Sequence, residues 1–317
     1  MTRIFLTALL CLLPLLAPGE EKELRIIAVM GSGGTGEYDT VFSKSASLWR
    51  EAAEKGDAAF SLIGEGEGSD QSAKQLKEAI AGAKEPALWI VLIGHGSFDT
   101  RSVKFNVRGP DFTDDDLAKW VEPYKGALAV INTASASGSF VRKLSGEERV
   151  IITATKNESE VYYTRFGKYF SEAIGGLPDA DLDNDDQVSL LEGFLFAADQ
   201  VAKFYETEGR LATEHALIDD NGDQLGSRSE WYDGVTPTRT PSEEAGPDGE
   251  IAGQKVLVKN EFEKRLSPEA RARRDELERE VKALRRQKED LEEDDYYQKL
   301  ETLLLELAEI YRDVRES

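Results

Sequence analysis

Residues 88–96 read Leu-Trp-Ile-Val-Leu-Ile-Gly-His-Gly, an unbroken apolar run that stops at a histidine held between two glycines. The run is too short for a buried helix and rich in leucine and β-branched residues. It does not alternate with polar residues, so it reads as a strand covered on both faces, as in a parallel sheet. Three further runs have the same character, at Leu24 to Met30, Ala127 to Ile131 and Val150 to Ala154. Between and after them lie helical patterns at Val41 to Glu54, Ser69 to Ala83, Thr113 to Val121 and Tyr163 to Ile174. This alternation predicts an α/β fold, a mostly parallel sheet sandwiched by helices, with its chemistry at the carboxyl ends of the strands. His95 and Ser135 each stand just past such an end.

The chain has 317 residues, 40% of them hydrophobic, and a formal net charge of −22. That charge argues against nucleic acid and anionic membrane surfaces as partners and favours solubility or cation binding. Residues 1–19 read as a signal peptide: Arg3 supplies a positive start, Ile4 to Leu16 an apolar stretch too short for a stable membrane span, and Ala17-Pro18-Gly19 a small-residue cleavage site. The expected location is therefore secreted, periplasmic or in the cell envelope. The single cysteine, Cys11, falls in that segment, with lipidation of Cys11 as the alternative to its removal. A mature chain without cysteine forms no disulfide, so packing must supply its stability, with bound metal as a further source.

Residues 20–231 form the expected α/β domain and residues 232–266, rich in Pro, Gly, Thr and Glu, a linker or long solvated loop. Residues 267–317 form a helical coiled-coil segment. It opens on the Ser267-Pro268 cap, and Leu277, Val281, Leu284 and Leu291 follow heptad spacing before an acidic break at Glu293-Asp294-Asp295. A hairpin packed on its own domain and a bent helix that forms oligomers both fit this pattern.

A hydroxyl or thiol nucleophile needs a neighbouring base, and small residues around both let backbone amides face an oxyanion. Gly94-His95-Gly96 and Ala134-Ser135-Ala136-Ser137-Gly138-Ser139 supply these parts on separate strands. Together with the first strand and its loop Gly31-Ser32-Gly33-Gly34, they resemble the legumain-like and caspase-like cysteine peptidases of clan CD over about residues 24–204. The resemblance implies a caspase-like (Rossmann-like) sandwich. It further implies that His95 is the general base, Ser135 holds the nucleophile position, Gly96 contributes to the oxyanion hole, and Ser137, Thr153 and Thr155 line the substrate pocket of a peptide or protein. The legumain branch has Ala-Cys-x-Ser-Gly-Ser at the nucleophile turn, so Ser135 replaces its cysteine. Serine has the far higher pKa, and histidine alone seldom activates it in a site built for a thiolate. Asp99 is the acid nearest to His95 in sequence. Glu37-Tyr38-Asp39 stands where legumains carry basic specificity residues. The expectation is a catalytically impaired homologue, with a non-catalytic peptide-binding or scaffold protein of the envelope as the alternative.

Residues 181–192, Asp-Leu-Asp-Asn-Asp-Asp-Gln-Val-Ser-Leu-Leu-Glu, match the calcium loop of an EF-hand. Asp181, Asp183, Asp185, Gln187, Ser189 and Glu192 are the candidate ligands for Ca2+, and Val188 fills the aliphatic eighth position. Calcium prefers six to eight hard oxygens, which alternate side chains of a tight loop can supply. Asp186 replaces the glycine of the sixth position, where a left-handed backbone is needed. A fainter echo lies at 219–230, Asp219-Asp220-Asn221-Gly222-Asp223 with Ser227 and Glu230. Gly226 stands in its aliphatic position and no exiting helix follows, so it reads as an acidic Asn-Gly turn rather than a second calcium site.

Overall fold

The computed structural model describes residues 22–66, 68–242 and 245–316; the expected signal segment 1–19 and Cys11 lie outside the described residues. In chain order the elements of the sandwich are β1 (Leu24–Met30), α1 (Gly36–Lys55), β2 (Ala59–Ile63), α2 (Ser72–Ala81), β3 (Ala87–Ile93), β4 (Gly96–Phe98), β5 (Val103–Phe105), β6 (Phe112–Thr113), α3 (Asp114–Val121), β7 (Ala127–Asn132), α4 (Ser139–Leu144), β8 (Arg149–Thr153), α5 (Phe166–Ala173), α6 (Leu190–Thr207) and β9 (Leu217–Asp219). The main sheet has the order β2-β1-β3-β7-β8-β9. Its pairings are parallel except at the β8–β9 edge. The expected α/β sandwich with a mostly parallel sheet is what the chain forms.

Alternate residues of each strand enter opposite layers, as the pleat requires. Ile26, Ala28, Met30, Trp89, Val91 and Ile93 pack under α1, α5 and α6 with Trp49, Phe170 and Phe194. Ile27, Val29, Leu88, Ile90 and Leu92 pack on the other side with Leu76, Leu117 and Phe140 of α2, α3 and α4. Two filled layers explain why the strands lack polar alternation. The α3 start is secured by a Thr113–Asp116 capping box, and the buried Asp114 carboxylate accepts from Ser139 Oγ at 2.7 Å, which ties α3 to the start of α4.

The tail comprises two helices, α7 (Pro268–Arg286) and α8 (Glu293–Glu316), packed on one another. A short 3-10 turn and an extended Leu291 separate them, so the single bent helix is not formed. Ser267 Oγ caps α7 by accepting from the Ala270 amide, and Leu277, Val281 and Leu284 are its buried apolar positions. Arg273 pairs with Glu306 and the Tyr311 hydroxyl donates to Glu278, linking the two helices. No helix among the described residues is long and apolar enough to cross a membrane.

The stretch 232–266 is not simply solvated. Ala252 and Leu257 are buried in the main core, and the Asp248 side chain is fully buried. Composition alone suggests a loose loop there, but its hydrogen bonds to the two acidic loops hold it against the sandwich.

Candidate functional site

The carboxyl ends of β3 and β7 carry the His95 and Ser135 turns side by side. Gly96 has no room for a side chain: a Cβ there would lie 2.1 Å from the Ser135 carbonyl oxygen. Glycine at this position therefore permits the close approach of the two turns. Ala136, next to Ser135, takes a left-handed backbone with φ +55°, a strained conformation for alanine that turns the chain sharply.

The Ser135 hydroxyl is buried, 3% exposed. It donates to the Gly96 carbonyl at 2.9 Å and accepts from the Gly96 amide at 3.2 Å. Its single proton is thus directed at backbone, not at an imidazole, and the Gly96 amide is occupied by the same oxygen. The Ala136 amide donates to the Glu160 carbonyl at 2.8 Å, so two amides beside the nucleophile position already have partners within the fold.

His95 is half-buried in a box of rings. Tyr38 meets it edge-on with centroids 4.6 Å apart, Phe42 lies at 5.1 Å and Tyr163 at 6.0 Å. Burial holds the imidazole below its ordinary pKa, opposed in part by a hydrogen bond with the Gly33 backbone. Asp99 does not orient it: its carboxylate pairs with Lys104 at 2.9 Å and accepts from the Ser102 amide within its own turn. Asp39 pairs with Arg108 at 3.1 Å.

Ser137, Thr153 and Thr155 are each 0% exposed. Ser137 Oγ and Thr155 Oγ1 lie 3.1 Å apart, Thr155 Oγ1 accepts from the Gly138 amide, and Thr153 Oγ1 donates to the Thr155 carbonyl. Ser137 and Thr155 thus tie the Ser135 turn to the end of β8, and Thr153 braces that end itself.

Sequence reasoning missed the ring box, whose members come from α1 and from the loop after β8. It also missed a second histidine pair, in which Glu160 Oε1 and His215 Nδ1 are 2.5 Å apart and Glu160 Oε2 accepts from the Lys156 and His215 amides. A run of aromatic residues at Tyr162-Tyr163 was the available signal. Glu214 beside it is 4% exposed and accepts from the Arg165 and Phe166 amides and from Tyr205. Burial pushes its carboxyl up to about 7. A carboxyl raised in the folded state stabilises fully below its ordinary range, and that contribution is lost as pH rises through 7. The expected result is that wild-type stability in EDTA falls between pH 5 and 8, and that Glu214→Gln flattens the fall by on the order of 3 kcal/mol at most. Urea unfolding at several pH values measures both slopes.

In the 181–192 loop, carboxylate oxygens of Asp181, Asp183 and Asp185 lie within 4.8 Å of one another. Oxygens sharing one calcium ion at 2.3–2.6 Å can stand up to roughly 5 Å apart, so the three fit a single ion. Asn184 and Asp186 are left-handed, φ +60° and +65°, so Asp186 adopts the turn in which glycine is usual. Glu192 closes the loop on itself: Oε1 accepts from the Leu182 amide at 2.8 Å, and Oε2 accepts from the Ser189 amide and hydroxyl as part of the α6 capping box. Gln187 donates to Asp185 through Nε2 and accepts from the Asn260 amide. Partial desolvation and the charges of Glu192, Asp185 and Asp181 push the Asp183 carboxyl up to about 6. Because Asp183 is largely exposed, the like charges are the part of this shift that a cation relieves.

No family model and no curated protein matches the chain. Among solved structures it is similar to the Drosophila initiator caspase Dronc, at 15% identity and a TM-score of 0.39, over 65% of this chain and 82% of that one. It is also similar to a structural-genomics protein from Geobacter sulfurreducens, at 11% identity and a TM-score of 0.38, over 64% of this chain and 97% of that one.

Proposed function

We propose that this protein is an exported, catalytically silent homologue of the legumain-like peptidases, stabilised by calcium, that holds a peptide or protein segment at the carboxyl end of its sheet without cutting it. One observation carries the reading: the Ser135 hydroxyl spends its proton on the Gly96 carbonyl while occupying the Gly96 amide. A serine nucleophile must hand its proton to a base as it attacks, and the oxyanion that forms needs free amides. Here the proton points away from any base and the amide is already bonded. His95, boxed by Tyr38, Phe42 and Tyr163, is held for packing as much as for proton transfer. Val161 and Tyr162, exposed in the loop that carries Tyr163, together with Phe98 beyond His95, offer apolar surface to an extended segment.

Calcium belongs to the same reading. Asp181, Asp183, Asp185 and Glu192 would hold it, and bound there it supplies positive charge that joins the start of α6 to the preceding loop. Export and the envelope location rest on the signal-like residues 1–19.

Covalent labelling with a fluorophosphonate tests the proposal. The mature protein is expected to remain unlabelled with or without calcium, and indistinguishable from Ser135→Ala and His95→Ala. Labelling that disappears in both variants would overturn the reading and make the protein a serine hydrolase.

A further inference from the structure

The loop at residues 219–230 shares its backbone course with the loop at 181–192. Its fourth and sixth residues, Gly222 and Gln224, are left-handed at φ +81° and +69°, as are Asn184 and Asp186 at +60° and +65°. In both loops the seventh amide donates to the fifth carboxylate, Leu225 to Asp223 at 2.7 Å and Gln187 to Asp185 at 2.9 Å. In both, the ninth residue makes an isolated β-bridge, Ser227 with Ile218 and Ser189 with Val256. Gly226, the residue that argues against a site in the sequence, is explained by packing: a Cβ there would lie 2.8 Å from the Leu217 Cβ of β9. Shared geometry alone identifies a type of turn and not a ligand.

The ligand is indicated by two oxygens. Asp219 is 1% exposed, and its Oδ2 is buried without a hydrogen-bond partner. Asp223 Oδ2 is likewise buried and without a partner. Each carboxylate uses its other oxygen inside the loop, Asp219 Oδ1 for the Gly222 amide and Asp223 Oδ1 for the Leu225 amide. Ser145 Oγ accepts from the Gln224 amide, and both groups stand near enough to Asp219 to favour its charged form, but neither sits in hydrogen-bond geometry on Oδ2. A buried carboxylate oxygen without donor or cation is costly. The adjoining acids differ: Asp220 accepts from the Gly249, Ile251 and Ala252 amides, and Asp248 from two amides and the Ser227 hydroxyl. Those two are satisfied structural carboxylates, whereas the orphan oxygens fall at the first and fifth positions of the loop, where a cation takes its ligands.

We infer that Asp219, Asn221 and Asp223, with the Leu225 carbonyl, form a second site for a hard divalent cation, calcium by preference, separate from the 181–192 loop. An all-oxygen set on an irregular loop that imposes no octahedral arrangement suits calcium better than magnesium, which demands near-ideal octahedral geometry. Ser227 is engaged with Asp248, and Glu230 sits exposed in a single 3-10 turn. With two carboxylates against the four of the 181–192 loop, this site is the weaker of the two.

Calorimetric titration of the chelator-stripped protein with CaCl2, with native mass spectrometry to count bound ions, tests the inference. Asp223→Asn is expected to remove one equivalent of calcium both from wild type and from an Asp183→Asn background, and MgCl2 at equal concentration is expected to bind at least tenfold more weakly. The loss in the Asp183→Asn background isolates this loop, so a failure of the first site leaves the test intact. Asp223 is only half-buried, and Asn221→Ala provides a second variant should Asp223→Asn fail to fold by circular dichroism. Unchanged calcium stoichiometry in folded variants of both backgrounds overturns the proposal.

Discussion

Replacing Phe170 by alanine lowers the unfolding free energy by about 3–5 kcal/mol, among the largest effects of any single substitution in the sandwich. Phe170 is 0% exposed and stands where three helices meet. Its ring stacks on Trp49 of α1 at 5.9 Å, meets Phe166 of its own helix at 5.6 Å, and lies within 3.3 Å of where a Cβ would sit on Gly193 of α6. Trp49 in turn meets Trp89 of β3 edge-on at 6.5 Å. Truncation removes the apolar transfer energy and leaves a cavity walled by aromatic rings that cannot collapse into it, which places the cost at the upper end of such substitutions. Phe170→Leu, nearer in volume, is expected to cost less than half as much. Equilibrium urea unfolding of the two variants gives the comparison, and equal losses would show that the three helices do not meet at this ring.

The second large effect is expected from calcium. With free calcium at 100 to 1,000 times its Kd, one occupied site adds about 3–4 kcal/mol, a rise in midpoint on the order of 10 °C for a domain of this size. EDTA should remove that increment, and Asp181→Asn with Asp183→Asn should abolish most of it. The sign of the pH dependence follows from Asp183, whose carboxyl is raised to about 6 by partial desolvation and by neighbouring like charge. Without a cation, its contribution to stability is present below the ordinary carboxylate range and is lost as pH rises through 6. Calcium relieves that loss, so its stabilisation should be greater at pH 7.5 than at pH 5. A melting temperature that ignores calcium at pH 7.5 would remove the metal from the proposed function.

What the sequence disclosed depended on how local the determining interactions were. Four strands were legible because their two faces are both covered, leaving unbroken apolar runs such as residues 88–93. The edge strand β2 was not: Ala59 to Leu62 are half-buried and include Ser61, so the run resembles a loop. The small sheet of β4, β5 and β6 was invisible because its strands are two or three residues long and take their meaning from pairing with one another. The acidic loop at 181–192 was readable because its ligand candidates are close neighbours in the chain. The surroundings of His95 were not, since Tyr38 and Tyr163 stand 57 positions before it and 68 after it. The engagement of Ser135 with Gly96 likewise depends on two turns meeting across adjacent strands, a fact about register that no single motif carries.

The stretch between the sandwich and the paired helices has a consequence for modularity. Asn260 donates to Gln187 and to the Asp185 carbonyl at one acidic loop. Asp248 and the amides of Gly249, Ile251 and Ala252 bond the other at Asp220 and Asn221. The same stretch then leads to Gln254, which donates to the Asp275 carbonyl in α7. Such a seam makes the helical tail a poor candidate for exchange between proteins. A recombination junction placed inside it would deprive both acidic loops of their partners, so inheritance of the tail is coupled to inheritance of the loops.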